Sequence, residues 1–282
     1  MKVFLACMCA FIIACASCAS NQGTAAPVAA DSVPESIQAP GQIPIETRHK
    51  VLHVDGAVDE YIESEYDDSL SILLKQYRRS ASGALLEQFV YLYQDGGNHI
   101  IKKTTLDADN RLKNVVEYQY TAQGLLQSER LLNKDSRPVS SFTYFYDSNN
   151  NRTKRAFNNG TGDKLAETIY SYDGNGNNTV TETFSGAGQK IISTQRQYNS
   201  DGQFTDQRIF NSNGQLTAST KITWQGGKEI KDEQFGPHGA LQMRITNEYG
   251  PNGELLRRTI EDLRGNTMQI LAYEYTYKPD IQ

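Results

Sequence analysis

Tyr198-NSD-Gly202-Q-Phe204 is followed at once by Phe210-NSN-Gly214-Q-Leu216. Each phrase reads as an aromatic, three turn-forming residues, a glycine, one variable residue and a bulky apolar residue. It recurs as Tyr120-TAQ-Gly124-L-Leu126, Phe235-GPH-Gly239-A-Leu241, Tyr249-GPN-Gly253-E-Leu255 and, with Asn for Gly, Leu106-DAD-Asn110-R-Leu112. A repeat of this kind dictates architecture before any single residue is considered. The aromatics form two interleaved series. One runs Tyr66, Tyr93, Tyr120, Tyr146, Tyr172, Tyr198, Trp224, Tyr249, Tyr275, in steps of 25 to 27 residues. The other lies roughly midway between its members and runs Leu106, Leu132, Phe157, Phe184, Phe210, Phe235. Each unit of about 26 residues therefore holds two strands and two turns.

Between the turns the period is two. Phe89-Tyr91-Tyr93, Phe142-Tyr144-Tyr146 and Leu271-Tyr273-Tyr275-Tyr277 alternate with polar neighbours, as half-buried strands do. The glycine four residues past each aromatic predicts a left-handed turn residue, which costs another L-residue roughly 1–2 kcal/mol. Gly97, Gly124, Gly176, Gly202, Gly214, Gly239, Gly253 and Gly265 fit, with Asn110 and Asn150 as the tolerated variants. Tyr198 with Phe204, and Phe210 with Leu216, should then face each other across their hairpins. The expected fold is all-β: an antiparallel meander of about 17 strands, counted from the turn sites between Tyr66 and Tyr275. A single sheet of that width should coil or curl. Arg155, Arg208, Lys231, Glu233 and Arg258 share the alternation phase of the aromatics, so neither face reads as fully apolar.

Hydrophobic residues make up 38% of the 282, and the net charge of -5 is mild and dispersed, which argues against a nucleic-acid footprint. All four cysteines, Cys7, Cys9, Cys15 and Cys18, lie at the N-terminus, so the repeats contain neither disulfide nor thiol metal site. Lys2 followed by the apolar run Val3–Cys15 reads as a secretory signal, too short for a membrane span. Residues 19–45 hold four of the eight prolines amid Ala, Ser, Gln and Gly, and read as a disordered tether. The repeat domain is expected over residues 46–282, with Leu52–Tyr66 a degenerate first repeat and Lys278-Pro279 ending the array.

His49, His53, His99 and His238 are scattered, with no third ligand for zinc, and His99 and His238 read as exposed turn residues. Asp59-Glu60, Glu63, Glu65 and Asp67-Asp68 form an acidic cluster without EF-hand spacing, read as a solvated edge strand. No G-x-S-x-G elbow is present, and the regular repeats leave no long loop to build a pocket, so no catalytic residue, metal or cofactor is expected. The tyrosines are the best binding candidates, because Tyr and Trp make rigid amphipathic contact surfaces. The ladder comprises Tyr93, Tyr120, Tyr144, Tyr146, Tyr170, Tyr172, Tyr198, Trp224, Tyr249 and Tyr275. Its bland alternative is cross-strand packing.

Two resemblances bear on these readings. Small residues meeting a cysteine, as in Ile12-Ile13-Ala14-Cys15 or Cys15-Ala16-Ser17-Cys18, resemble the lipobox of bacterial lipoproteins, which implies residues 1–18 as signal peptide and lipobox. Cys15 fits the aliphatic–small pattern better and Cys18 the signal length, so both stand as lipid-attachment candidates. The residue after either is Ala, which favours an outer-membrane destination. Tyr146-Asp147-Ser148-Asn149-Asn150 and Tyr172-Asp173-Gly174-Asn175-Gly176 resemble the YD-type repeats of Rhs and related bacterial surface proteins. That resemblance spans about residues 50–277, and it implies a sheet shell without implying encapsulation or toxin delivery. Together they suggest a non-enzymatic, membrane-anchored envelope scaffold that binds a protein or polysaccharide and no nucleic acid. The alternatives are a structural lipoprotein without ligand and a secreted fragment of an Rhs-like system. A transmembrane barrel would need an apolar band that Arg155, Arg208 and Glu182 interrupt.

Overall fold

A computed structural model describes residues 42–279, except 95, 96 and 98. The expected signal peptide, Cys15, Cys18 and most of the expected tether lie outside the described residues. Eighteen strands follow one another. They are β1 (Gln42–Leu52), β2 (Val58–Tyr66), β3 (Leu73–Ser80), β4 (Leu85–Tyr93), β5 (Ile100–Asp107) and β6 (Leu112–Tyr120). Next come β7 (Leu126–Asn133), β8 (Pro138–Tyr146), β9 (Arg152–Asn159), β10 (Lys164–Tyr172), β11 (Asn178–Ser185) and β12 (Lys190–Tyr198). The last are β13 (Phe204–Asn211), β14 (Leu216–Gln225), β15 (Lys228–Phe235), β16 (Leu241–Tyr249), β17 (Leu255–Asp262) and β18 (Thr267–Pro279). The array thus starts at Gln42, inside the stretch read as tether.

Every strand pairs antiparallel with its sequence neighbours, and β1 also pairs with β18, from Gln42↔Pro279 to Leu52↔Ile270. The meander is therefore a closed barrel of 18 strands, which corrects the expected open, coiled sheet of about 17. Closure removes the edges that an open sheet of this width would expose. It also overturns the edge-strand reading of the acidic cluster. β2 is an interior stave, and its carboxylates are partnered: Glu63 accepts from Arg48 at 2.5 Å and Arg79 at 2.7 Å, and Glu60 from Arg78 at 3.0 Å.

The turns explain the rhythm. At Asp147 the side-chain Oδ1 accepts the N–H groups of Asn149 and Asn151, each at 2.9 Å, while Asn150 sits at φ 65°. Asp107, Asn133, Asn159, Asp173, Asn199 and Asn211 repeat the same pair of bonds to residues two and four further on. The acidic or amide residue after the aromatic is thus a turn nucleator. Most expected glycines have positive φ, but at the last turn the left-handed residue is Asn266 (φ 48°) in place of Gly265.

Turn length accounts for the uneven steps. Tyr93 pairs with Ile100 and Tyr66 with Leu73, one residue further than Tyr198 with Phe204, which yields the two 27-residue steps. Trp224 pairs with Glu229 through a tight Gly226-Gly227 turn, one residue shorter, which yields the step of 25.

Register assigns the two aromatic series to opposite faces. Tyr144, Thr105, Thr168, Thr194 and Asn247, all buried, lie on the tyrosine face, while Leu92, Phe145, Leu165, Ile169 and Ile191 are exposed on the other. Side chains converge on the concave side of a barrel and splay on the convex side, so the tyrosine face lines the interior. Phe184, Phe210 and Phe235 point outward. Phe157 departs from this series: Asn158 holds the equivalent position, and Phe157 faces inward against Phe142, ring centroids 4.8 Å apart.

Among the described residues, strands touch only their ring neighbours, and no large side chain is fully buried. Among the described residues the buried hydrophobic side chains are Val51, Val115, Leu132, Tyr144 and Ile270, spread around the ring, so the core is thin. The outer face carries ion pairs at mid-strand, including Arg130–Glu117 at 2.8 Å and Glu233 between Lys231 at 3.0 Å and Arg244 at 3.3 Å. Each such cation in a lipid-facing midplane would cost about 2–4 kcal/mol.

Candidate ligand-binding inner face

The ladder tyrosines separate into two layers. Tyr93, Tyr120, Tyr146, Tyr172, Tyr198, Trp224, Tyr249 and Tyr275 stand at or near the C-terminal ends of even-numbered strands, along one rim. Apart from Tyr93, their polar atoms serve the backbone. Tyr120 donates to the carbonyl of Ile100 at 2.9 Å, Tyr146 to Leu126 at 2.7 Å, Tyr172 to Arg152 at 2.8 Å and Tyr198 to Asn178 at 2.9 Å. Trp224 Nε1 reaches Phe204 at 2.7 Å, Tyr249 reaches Glu229 at 2.8 Å, and Tyr275 reaches Leu255 at 2.7 Å. Tyr66 does the same to Glu46 at 3.0 Å. Each acceptor lies 20 residues upstream, at the start of the preceding odd-numbered strand or, for Glu46, within β1. There the cross-strand ladder has stopped, so an otherwise unpaired carbonyl is satisfied.

Tyr144 and Tyr170 sit two residues earlier, one level deeper into the interior, with Tyr91, Tyr118 and Tyr273 at the equivalent places. Burial pushes the hydroxyls of Tyr91 and Tyr118 up to about 12. Burial, together with the hydrogen bond to Glu129 at 2.7 Å, raises Tyr144 further, so all three are neutral donors. Odd-numbered strands interleave Lys103, Glu129, Arg155 and Thr181 opposite these tyrosines.

Cations concentrate on the β5–β12 sector of this inner face. Lys103 Nζ lies 4.7 Å from the Phe89 ring centre and 5.5 Å from that of Tyr91. Arg152 stacks 4.4 Å from Tyr144, and Arg155 lies 5.1 Å from Phe142. Arg196 bonds only neutral groups: Gln207 at 3.1 Å, Asn178 at 2.5 Å and Thr181 at 2.8 Å. Burial lowers the pKa of both Lys103 and Arg196. Among the described residues, none of these four cations has a carboxylate within 4.0 Å, unlike Arg48, Arg78, Arg79 and Arg244. The Nε of Arg152 is buried with no hydrogen-bond partner.

His99 contradicts its reading as an exposed turn residue: its Nε2 lies 3.1 Å from the Gly124 carbonyl and its ring 4.4 Å from Tyr120. His49 bonds Glu46 at 2.8 Å. Among the described residues no cluster of three or more His, Cys, Asp or Glu is placed to hold a metal ion. The sequence reading missed Lys103, Arg152 and Arg196. Tyr91 and Tyr273 were visible as members of alternating aromatic runs, and Arg155 as a charge in phase with the aromatics, but only the register shows which of them share a wall.

No family model matches this chain, and no curated protein matches it in sequence. Among solved structures it is similar to the Photorhabdus luminescens Tc holotoxin pore at 13% identity and TM-score 0.31, over 82% of this chain and 16% of that one. It is also similar to a porin-like protein from Bacteroides uniformis at 8% identity and TM-score 0.42, over 82% and 98% of the two chains. A protein from Arabidopsis thaliana follows at 8% identity and TM-score 0.25, over 60% and 82%. The chain spans only a small part of the toxin structure it matches, and likenesses this remote leave its family open.

Proposed function

We propose that this chain is a non-enzymatic bacterial envelope lipoprotein, anchored through Cys15 or Cys18, whose barrel binds a partner protein or polysaccharide through its inner tyrosine layer. One observation carries the reading. Tyr91, Tyr118, Tyr144 and Tyr170 form a layer facing the lumen, interleaved with Lys103, Glu129, Arg155 and Thr181, and among the described residues neither of these two cations has a carboxylate within 4.0 Å. Rigid aromatic surface beside open donors is the composition of a contact face. The rim series is different: its polar atoms, Tyr93 apart, are committed to backbone carbonyls, which favours a packing role there. The lipobox-like residues and the YD-type phrases support the address and the repeat ancestry.

Glycan-array and pull-down binding by the full chain in mild detergent, with Tyr144→Ala and Tyr170→Ala against Trp224→Phe, tests the reading. Binding lost in the first two and kept in the third supports it. Binding indifferent to Tyr144 and Tyr170 refutes it. A second reading, a structural lipoprotein without ligand, is favoured by the commitment of seven of the eight rim residues to the backbone. It predicts stable co-purification with an envelope complex and no glycan retention. Palmitate labelling of Cys15→Ala and Cys18→Ala variants tests the anchor.

A further inference from the structure

The β9–β12 part of the inner wall brings together cations that, among the described residues, have no carboxylate within 4.0 Å. Arg152 on β9 and Arg196 on β12 flank Tyr170 on β10, and Arg155 lies one inward position along from Arg152. Three strand spacings separate β9 from β12, roughly 14 Å of wall. Arg196 is held by Asn178 and Thr181, so its planar guanidinium is fixed before any ligand arrives. Arg152 is fixed by stacking on Tyr144, and its Nε has no acceptor. A guanidinium taken out of water without an anion is costly. Here three of them share one wall, whereas Arg48, Arg79, Arg130 and Arg244 meet carboxylates on the outer face and Arg78, on the inner face, lies between Glu60 and Glu87.

We infer that this wall, Arg152, Arg155 and Arg196 around Tyr170, is the binding site for a carboxylate- or sulfate-bearing oligosaccharide; the inference rests on the partner-binding reading above and names its ligand. Guanidinium N–H groups bond carboxylate or sulfate oxygens strongly, and Arg196, whose Nε and Nη1 already bond Gln207, Asn178 and Thr181, keeps Nη2 for that purpose. The Tyr170 ring between them offers a plane for a sugar ring. An inorganic anion has no use for the tyrosine. A nucleic acid would set a phosphate against every few ångströms of wall, where only three cations stand and Glu129 interrupts the next repeat.

The test uses the full chain in mild detergent and titrates oligogalacturonate, a sulfated heparin oligosaccharide, neutral dextran of equal length, inorganic sulfate and single-stranded DNA. Binding of either acidic sugar is expected, weakened at least tenfold by Arg152→Gln or Arg196→Gln and at least fivefold by Tyr170→Ala. Tyr170→Phe should retain it, and affinity should fall as salt rises. Thermal melts of each variant verify that the barrel is intact. Equal binding of dextran, saturation by sulfate alone, or preference for DNA would overturn the proposal. If a neutral glycan or a protein binds and is lost on Tyr170→Ala but not on Arg196→Gln, this inference falls and the partner-binding reading survives. If nothing binds, both fall.

Discussion

The hydroxyl of Tyr172 donates a 2.8 Å hydrogen bond to the carbonyl oxygen of Arg152, across the mouth of the β9–β10 hairpin. Arg152 begins β9, and the ladder to β10 has ended before it, so the carbonyl has no strand partner there. Because the same bond recurs around the rim, it acts as a repeated clasp. Tyr172→Phe should cost about 0.5–1.5 kcal/mol, read as a lower urea midpoint with unchanged slope. Tyr120→Phe should cost a similar amount, and the two losses should add, since the residues are two hairpins apart.

The turn nucleators offer a second check. Asp147→Ala removes the acceptor of both the Asn149 and Asn151 N–H groups. A loss of about 0.5–1 kcal/mol is expected, moderated by water at this exposed turn. Asp147→Asn should be close to neutral, because Asn133, Asn159, Asn199 and Asn211 make the same bonds elsewhere in the chain. Equilibrium unfolding of the two variants side by side distinguishes the hydrogen bonds from charge.

Local chemistry made the strands and turns readable from the residues. Gly202, Gly214 and Asn150 mark left-handed turn positions that physics reserves for them, and Tyr198↔Phe204 pairs across its hairpin as its spacing implies. What depends on distant partners was not readable. Gln42–Leu52 carries no aromatic-turn phrase, and its mate β18 lies at the other end of the chain, so closure left no local mark. Phe157 deceived because composition alone cannot tell an inward aromatic from an outward one when the neighbouring turn holds Asn158 in the series position. The inner cations were hidden for the same reason. Arg152 and Arg196 share a wall only through the summed register of four strands.

One turn is strained. Leu70 holds φ 54°, in the left-handed region, while Asp67 accepts the N–H groups of Ser71 and Ile72, both at 2.8 Å. A β-carbon there costs roughly 1 kcal/mol, partly offset by the greater chain entropy that glycine loses on folding. Leu70→Gly should therefore raise stability by up to about 1 kcal/mol, visible as a higher melting temperature. Leu70→Val should lower it, because a branched side chain tolerates this backbone least.

Closure through β1 predicts a sharp response to its loss. Val51 is buried on the inner face opposite Leu271, and Val51→Ala should cost about 2 kcal/mol. Deleting residues 42–52 exposes β2 and β18 as unpaired edges. That chain should elute as dimers and larger species in size-exclusion chromatography, since open edges recruit one another. A monodisperse monomer with an unchanged melt would show that the ring does not depend on its first stave.

Asp232 implies a loss of stability between acid and neutral pH. Its carboxyl faces inward between Ile222 and Ile245, its cross-strand neighbours, and Oδ1 is buried without a partner. Desolvation lifts its pKa to about 6, with Glu229 and Glu233 adding to the rise and Gln234 and Arg258 opposing it. The folded state therefore holds this proton more tightly than the unfolded chain, whose Asp titrates near 3.9. The associated stability is complete below the unfolded value and is lost as pH climbs through about 6. Asp232→Asn should abolish that decline and stabilise the barrel by about 1–2 kcal/mol at pH 7.5, after allowance for partial solvation. Urea unfolding of both proteins at pH 4 and pH 7.5 decides it: a gain confined to pH 7.5 is expected, whereas an equal effect at both values would locate the cause in packing.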